Sequence, residues 1–208
     1  MLVSSLRYPL EDDEYPRTLL IGSLVVVGSV FVLPLFVLLG YGTHAVAAAC
    51  NDEPPPRFER YGQLFVDGLK LTAVGVGYLL AFVLVLFAVA LAAELHEILG
   101  FVAILGAAVA YVGLLYLSVA IVYAFSQRRR IRDAFAIGRI VGLSLNLRYA
   151  LVAILIAFIL PTLFSILQVL LGLTIVGLLA IPATLVYELL VYAKLTSEIP
   201  VARRAAGW

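Results

Sequence analysis

The sequence has little charge for its length, and this shortage narrows the class of protein. Charged residues make up 13% of the 208 residues, about half of the roughly 25% that is typical of soluble globular proteins. Hydrophobic residues make up 64%, and the mean hydropathy is +1.12. A soluble fold of this size keeps too much of its surface in water to hide so many apolar side chains. The composition therefore predicts a protein that is embedded in lipid.

Several chemical signatures are also missing. The one cysteine, Cys50, cannot form an internal disulfide, so cysteine usage does not indicate a redox compartment. There is no phosphate-binding loop, dinucleotide glycine fingerprint or nucleophile elbow, and the pair His96-Glu97 lacks the second histidine of a zincin helix. The sequence thus predicts a protein that is not an enzyme and has no cofactor or metal. A net charge of +1 gives no reason to expect a nucleic-acid partner.

Long apolar runs are what the sequence has in abundance. A helix crosses a hydrocarbon core of about 30 Å with roughly 20 residues, and five runs are long enough, at about 19–39, 71–93, 98–125, 149–169 and 173–193. Pro34, Pro161 and Pro182 fall inside three of these runs and predict kinks. We therefore expect residues 1–208 to form a single integral membrane domain, an all-α polytopic transmembrane helical bundle of about five spans.

Two further segments, at about 58–70 and 128–145, are predicted to be amphipathic helices at the membrane surface. In the first, aromatic residues share one face at 100° per residue, while Asp67 and Lys70 lie on the other. The second opens with a run of arginines, which serves as a topology signal and can also bind anionic headgroups. The candidate lipid contacts are Phe58, Tyr61, Phe65, Arg128, Arg129, Arg130 and Arg132.

Lysine and arginine residues are distributed unequally between the two sides of a five-span topology. Twelve fall on the side that holds the segments after spans one and three and the tail, and two, Arg7 and Arg17, fall on the other. The positive-inside rule places the twelve in the cytoplasm. The predicted orientation is therefore amino terminus outside and carboxyl terminus cytoplasmic.

Glu188 is the outstanding polar residue, because it lies inside the fifth run beside Tyr187. An ionisable group within a span is costly and suggests a functional site. The alternative is that Glu188 lies near the helix end and is protonated, or paired with Arg139, Arg148 or Lys194. Glu188 and Tyr187 are accordingly a candidate intramembrane polar site.

Three stretches of the sequence resemble one known family. They read LRYPLEDDEYPRTLLIG at residues 6–22, LPLFVLLGY at 33–41 and NDEPPPRFERYGQLFVDGLK at 51–70. They are similar to multi-pass membrane proteins that are best known from haloarchaea and are catalogued as the domain-of-unknown-function 4013 family. The resemblance implies an archaeal cell-membrane protein, but no activity and no functional residues. Its most specific part, 52–70, is where we expect the family's function to reside.

Two main functions stay open at this point, and a third, an intramembrane enzyme, would need paired polar residues at matching depths. The first is a non-enzymatic scaffold, assembly factor or accessory subunit, whose partners are membrane lipid and either another protein or further copies of the chain. Small residues such as Gly106, Ala110 and Gly113 on one face favour it, because they let helices approach closely. The alternative is a small transporter or channel that uses a polar site near Glu188. A transporter should bring that site and the proline breaks to one cavity near the midplane.

Overall fold

A computed structural model describes residues 2–11, 15–28, 32–95 and 97–199 of the chain. Within these ranges the chain is helical, with no strand, one 3₁₀ turn at Tyr8–Leu10 and one π-helical turn at Leu155–Ile159. The α-helices are α1 (Leu2–Arg7), α2 (Tyr15–Gly28), α3 (Val32–Cys50), α4 (Tyr61–Leu95), α5 (Glu97–Arg128), α6 (Ile131–Ala134), α7 (Ile137–Ser144), α8 (Leu147–Ile154), α9 (Leu160–Gly172) and α10 (Ile175–Ser197). Five helical segments in these ranges are long and apolar enough to cross a membrane, which confirms the predicted fold class.

The first apolar run folds as two helices. The predicted span 19–39 covers the end of α2 and the beginning of α3, and its residues 29–31 lie outside the described residues. Since α2 has 14 residues, it is about 21 Å long and too short to cross the bilayer. The helix that is long enough is Leu33–Cys50. Pro34 lies in the first turn of α3, where the missing N–H group costs little, rather than in the middle of a span.

The amino-terminal segment lies against the carboxyl-terminal half of α10. The Tyr187 hydroxyl donates to the Leu6 carbonyl, and the Lys194 ammonium lies 5.4 Å from the centre of the Tyr8 ring. The Tyr8 hydroxyl donates to the Ala45 carbonyl of α3 at 3.5 Å, and burial raises the pKa of this phenol. The described beginning of the chain therefore lies beside the end of α10.

The first predicted surface helix is the beginning of α4. This helix starts at Tyr61 and continues for 35 residues through the predicted second span. Phe58, just before it, is 5% exposed and stacks on Tyr41 of α3 at a ring distance of 3.8 Å. Tyr61 is exposed, and the half-buried Phe65 packs edge-on against Phe36. The structure therefore places Phe58 inside the bundle instead of on the lipid side.

The second predicted surface segment is two short helices that fold back onto α4 and α5. Phe135, between α6 and α7, stacks on Tyr78 at 5.1 Å, and the Tyr78 hydroxyl donates to the Ala134 carbonyl at 2.8 Å. The ring of Phe135 fits because Gly77 has no side chain to block it. Further along, the Tyr116 hydroxyl donates to the Ser144 carbonyl at 2.6 Å. These contacts attach the segment to the bundle along its length.

The last two spans form a helical hairpin. The fourth candidate span, Leu147–Gly172, contains α8, the π-helical turn and α9, with Pro161 in the first turn of α9. Proline has no N–H group and its ring clashes with the carbonyl four residues earlier, which explains the looser turn just before it. Thr174 then caps α10 by accepting the Gly177 N–H at 2.9 Å. α10 extends to Ser197, beyond the predicted end at 193.

Buried side chains are concentrated at one end of the bundle, called the base. The base is formed by the carboxyl-terminal parts of α3, α5 and α10 together with α8, and its buried residues include Tyr41, Ala45, Val119, Phe125, Tyr149, Val152, Leu190 and Leu195. The other end of the α4–α5 hairpin, residues 80–95 and 97–113, is called the tip. There the consecutive residues Leu84, Val85, Leu86 and Phe87 are all exposed. Successive helical positions are 100° apart, so most of the circumference of α4 is exposed at this level, apart from the side that contacts α5.

Candidate functional site

A close crossing of α3 and α4 creates the polar site at the base. A Cβ atom at Gly40 would clash with the Leu64 carbonyl, and one at Gly68 would clash with the Phe36 carbonyl. Only glycine at both positions lets the two backbones approach this closely. The crossing presses the face of α4 that carries Asp67 against α3 beside His44.

Four side chains meet at this crossing, and together they are called the Asp67 cluster: His44, Asp67, Lys70 and Arg129. The Asp67 side chain is 4% exposed, and one of its oxygens accepts a hydrogen bond from Lys70 Nζ at 3.0 Å. His44 Nε2 lies 3.1 Å from the other oxygen, and Arg129 Nε lies 3.8 Å from it. A carboxylate this deeply buried is stable only when its charge is paired and hydrogen-bonded. One carboxylate of α4 therefore links α3 and the turn that follows α5.

The backbone at Arg129 has an uncommon conformation. Its φ is 54°, in the left-handed region that favours glycine, and its N–H donates to the Phe125 carbonyl at 2.7 Å, which ends α5. A non-glycine residue held there costs roughly 1 kcal/mol or more. The ionic contact with Asp67 offsets part of this cost and orients the turn into α6. Asp52, at φ 56°, makes a comparable junction, because its carboxylate lies 3.6 Å from Lys194 Nζ.

The Asp67 cluster combines a paired carboxylate with two partly exposed cations. The carboxylate already faces three partners, so it is not placed as a base or nucleophile. Lys70 and Arg129 keep 39% and 32% of their side chains exposed, so water or a headgroup can reach them. Among the described residues, no group of three or more His, Cys, Asp or Glu side chains could hold a metal ion. His96 lies outside the described residues.

Glu188 lies in a smaller polar group in the α9–α10 hairpin. Its carboxylate accepts hydrogen bonds from the Tyr192 hydroxyl and from Gln168 Nε2, the latter at 3.3 Å. Of the cations considered as partners for Glu188, Lys194 contacts Asp52 instead, and the Arg139 side chain lies outside the described residues. Glu188 is thus satisfied by neutral donors from its own hairpin. Its sequence neighbour Tyr187 points elsewhere, toward the Leu6 carbonyl.

A cavity of about 220 Å³ lies between α3, α5, the π-helical turn and α10. Most of its lining is apolar, with four polar side chains: Thr43, Ser118, Tyr192 and Thr196. The lining does not include Glu188, Tyr187 or any of the three span prolines, and Pro34 lines a separate groove between α2 and α3. The structure therefore does not bring the polar site and the proline breaks to this one cavity.

The arginine run after α5 divides into residues with different surroundings. Arg129 turns inward to Asp67, whereas Arg128, Arg130 and Arg132 are exposed.

Helical periodicity missed the Asp67 cluster because it assigned Asp67 to the solvated face of a surface helix. The useful signal was the pair of glycines, Gly40 and Gly68, at positions where two helices come into contact. The inward turn of Arg129 left no signal in the sequence, since it depends on a left-handed backbone.

A family model described as "Protein of unknown function (DUF4013)" matches residues 23–176. This match covers well over half of the chain. The chain belongs to the DUF4013 family. All four residues of the Asp67 cluster fall within the part that matches the DUF4013 family, whereas Glu188 and Tyr187 lie beyond it. No curated protein and no solved structure matches the chain.

Proposed function

We propose that this protein is a non-enzymatic scaffold, assembly factor or accessory subunit, which binds the membrane helices of a partner through the tip of the α4–α5 hairpin. The observation that carries the proposal is the exposure of the tip on every side except where α4 and α5 contact each other. Leu84 is 68% exposed, and Val109, on the other helix, is 73% exposed. Each of the two tip helices contacts the other, through Phe82 and Tyr111 for example, and presents the rest of its surface outward.

Small residues on α5 support a protein partner over lipid alone. No heavy atom lies near the Cβ position of Gly106 or of Gly113, so both positions are open for another backbone to approach. Helix association within membranes relies on such close approach, because lipid tails are as apolar as leucine. The saturated polar groups at the base support the non-enzymatic part of the proposal, since neither carboxylate group is placed to attack a substrate.

The proposal is tested by purifying the tagged chain in mild detergent from its native membrane and identifying co-purified proteins by mass spectrometry. Gly106→Leu fills the open position on the tip, and Gly138→Leu fills an equally open position on α7. We expect a stoichiometric partner, or a second copy of the chain, that is lost with Gly106→Leu and kept with Gly138→Leu. Recovery of a lone chain from all three preparations would count against the scaffold function.

The orientation is part of the same proposal: both termini are cytoplasmic. All fourteen Lys and Arg residues lie outside the stretches 18–56, 71–127 and 149–193, each of which contains one apolar hairpin. Placing the base in the cytoplasm then puts every basic residue from Arg7 to Lys194 on the inner side. The archaeal source and the cell membrane, which the family resemblance implies, belong to this proposal as well. Reporter fusions at each terminus, active only in the cytoplasm, should both be active.

Transport is the second candidate function, and the polar group around Glu188 favours it. Tyr192 both donates to Glu188 and lines the 220 Å³ cavity, so a path from the cavity to the carboxylate passes through one hydroxyl. Transport ranks second because the cavity is mainly apolar. Proton or cation flux into vesicles that contain the purified chain tests it. Flux that Glu188→Gln abolishes and Gln168→Glu preserves would establish transport over the scaffold function.

A further inference from the structure

A groove runs between α4 and α5 on the base side of the tip. Its volume is about 390 Å³, and its lining includes Leu71, Val74, Gly75 and Tyr78 of α4 with Ser118 and Val122 of α5. Gly75 leaves open space, since nothing lies within 4 Å of its Cβ position. From Leu71 to Tyr78 the groove extends about 11 Å along the helix. Its lining is mainly apolar, which suits a lipid acyl chain.

The groove begins where the Asp67 cluster ends. Asp67, Leu71, Val74 and Tyr78 have spacings of four, three and four residues, so they lie on one face of α4. Lys70, whose ammonium binds Asp67, lies four residues before the lining residue Val74, so the two are neighbours on the helix surface. The cationic site and the apolar groove are therefore adjacent along α4.

Hydrogen-bond donors remain available at the cationic end. Of the three N–H groups of Lys70, one is used by Asp67 Oδ1 at 3.0 Å. The contact of Arg129 with Asp67 is 3.8 Å long, which is beyond hydrogen-bond distance, so its five N–H groups are not used by this carboxylate. The two positive charges of Lys70 and Arg129 face the single negative charge of Asp67. An anion with several acceptor oxygens would accept hydrogen bonds from these remaining N–H groups.

We propose that this site binds one anionic phospholipid, with the phosphate between Lys70 and Arg129 and an acyl chain in the groove. A water-soluble phosphate would use only the cationic end, and a neutral lipid only the apolar channel. An anionic lipid uses both, because the cationic end and the apolar groove lie next to each other. The proposal does not depend on a protein partner at the tip, because the groove and the tip are formed by different parts of the hairpin.

The test measures lipid retained by the full chain after purification in detergent and exchange into defined mixtures. Phosphatidylglycerol and phosphatidylcholine with identical chains are supplied in equal amounts, and bound lipid is counted by native mass spectrometry. We expect phosphatidylglycerol to be retained preferentially. Lys70→Gln and Arg129→Gln should each weaken retention about fivefold, since each removes one basic residue from the membrane surface. Equal retention of both lipids would refute the proposal.

A variant in the groove tests the acyl-chain contact without changing a charge or a residue of the Asp67 cluster. Gly75→Leu should fill the open space in the groove and reduce retention of phosphatidylglycerol at least fivefold, while Gly106→Leu on the tip should leave it unchanged. Retention that Gly75→Leu does not change would overturn the acyl-chain assignment. Glycerol 3-phosphate should not displace the lipid. If it does, the site binds soluble phosphate and the lipid proposal is wrong.

Discussion

The base and the tip of the α4–α5 hairpin belong to the same two helices but are stabilised in different ways. At the base, Asp67 of α4 and Phe125 of α5 are buried among residues from several other helices. At the tip, Leu84 and Val109 are mostly exposed, and Phe82 of α4 packs against Tyr111 of α5. Both regions lie within apolar sequence, so hydropathy does not separate them. The two regions differ because other helices and charged groups contact the base.

The largest difference should appear when a side chain is forced into the base. Gly40→Leu places a side chain where the Leu64 carbonyl lies, so we expect α3 and α4 to separate at a cost of about 3 kcal/mol or more. Thermal unfolding in detergent, followed by circular dichroism, measures the loss. Gly106→Leu makes the same chemical change at an open position and should leave the midpoint unchanged. Equal midpoints for both variants would contradict the close crossing.

Removing the central charge should have the next largest effect. Asp67→Asn leaves Lys70 and Arg129 without a counter-charge, and breaking a buried ion pair costs about 3–5 kcal/mol. Water reaches both cations here, so we expect about 2–3 kcal/mol in the free energy of unfolding. Glu59→Gln, which neutralises an exposed carboxylate near the beginning of α4, is the control and should change stability little. An unchanged stability for Asp67→Asn would show that the cluster does not hold the base together.

The left-handed turn at Arg129 allows a finer comparison within the base. Arg129→Gly and Arg129→Ala both remove the ionic contact with Asp67, but alanine must also be held at a φ of 54°. We therefore expect the alanine variant to be the less stable of the two by about 1 kcal/mol. Chemical denaturation of the two variants side by side measures this difference. An alanine variant at least as stable as the glycine variant would mean that the backbone relaxes there.

The smallest effects should come from the tip. Val109→Ala and Leu84→Ala remove exposed side chains, so each should change stability by less than about 0.5 kcal/mol. Val186→Ala, at a fully buried position of α10, should instead cost roughly 2 kcal/mol. The same thermal unfolding assay compares the three variants. A large loss of stability from either tip variant would mean that the tip packs against the rest of the chain.

Apolar runs predicted much of the hairpin but not where it begins. The runs at 71–93 and 98–125 lie inside α4 and α5, because long uncharged sequences in lipid have few alternatives to helix. The beginning of α4 at Tyr61 was missed, since the polar residues from 58 to 70 also fit a separate surface helix. The run at 19–39 was predicted as one helix, whereas Pro34 lies at the start of a second.

The candidate sites depend on tertiary contacts that no local pattern contains. Glu188 was recognisable because a carboxylate in an apolar run is rare, yet its donors Gln168 and Tyr192 could be assigned only once α9 and α10 were paired. Asp67 looked like an ordinary polar residue, because its burial results from glycines 28 residues apart in sequence, Gly40 and Gly68. Contacts between distant residues thus determine which of the two carboxylates is the centre of the base.

The central claim, that the tip binds a partner while the rest of the exposed surface faces lipid, is tested most directly by site-specific photo-crosslinking in the native membrane. A photoreactive residue is placed at Val109 on the tip and, in a separate variant, at Leu179 on α10, positions that are 73% and 80% exposed. We expect a discrete protein adduct, to a partner or a second copy, from position 109 and none from position 179. Adducts to lipid alone at both positions would contradict it.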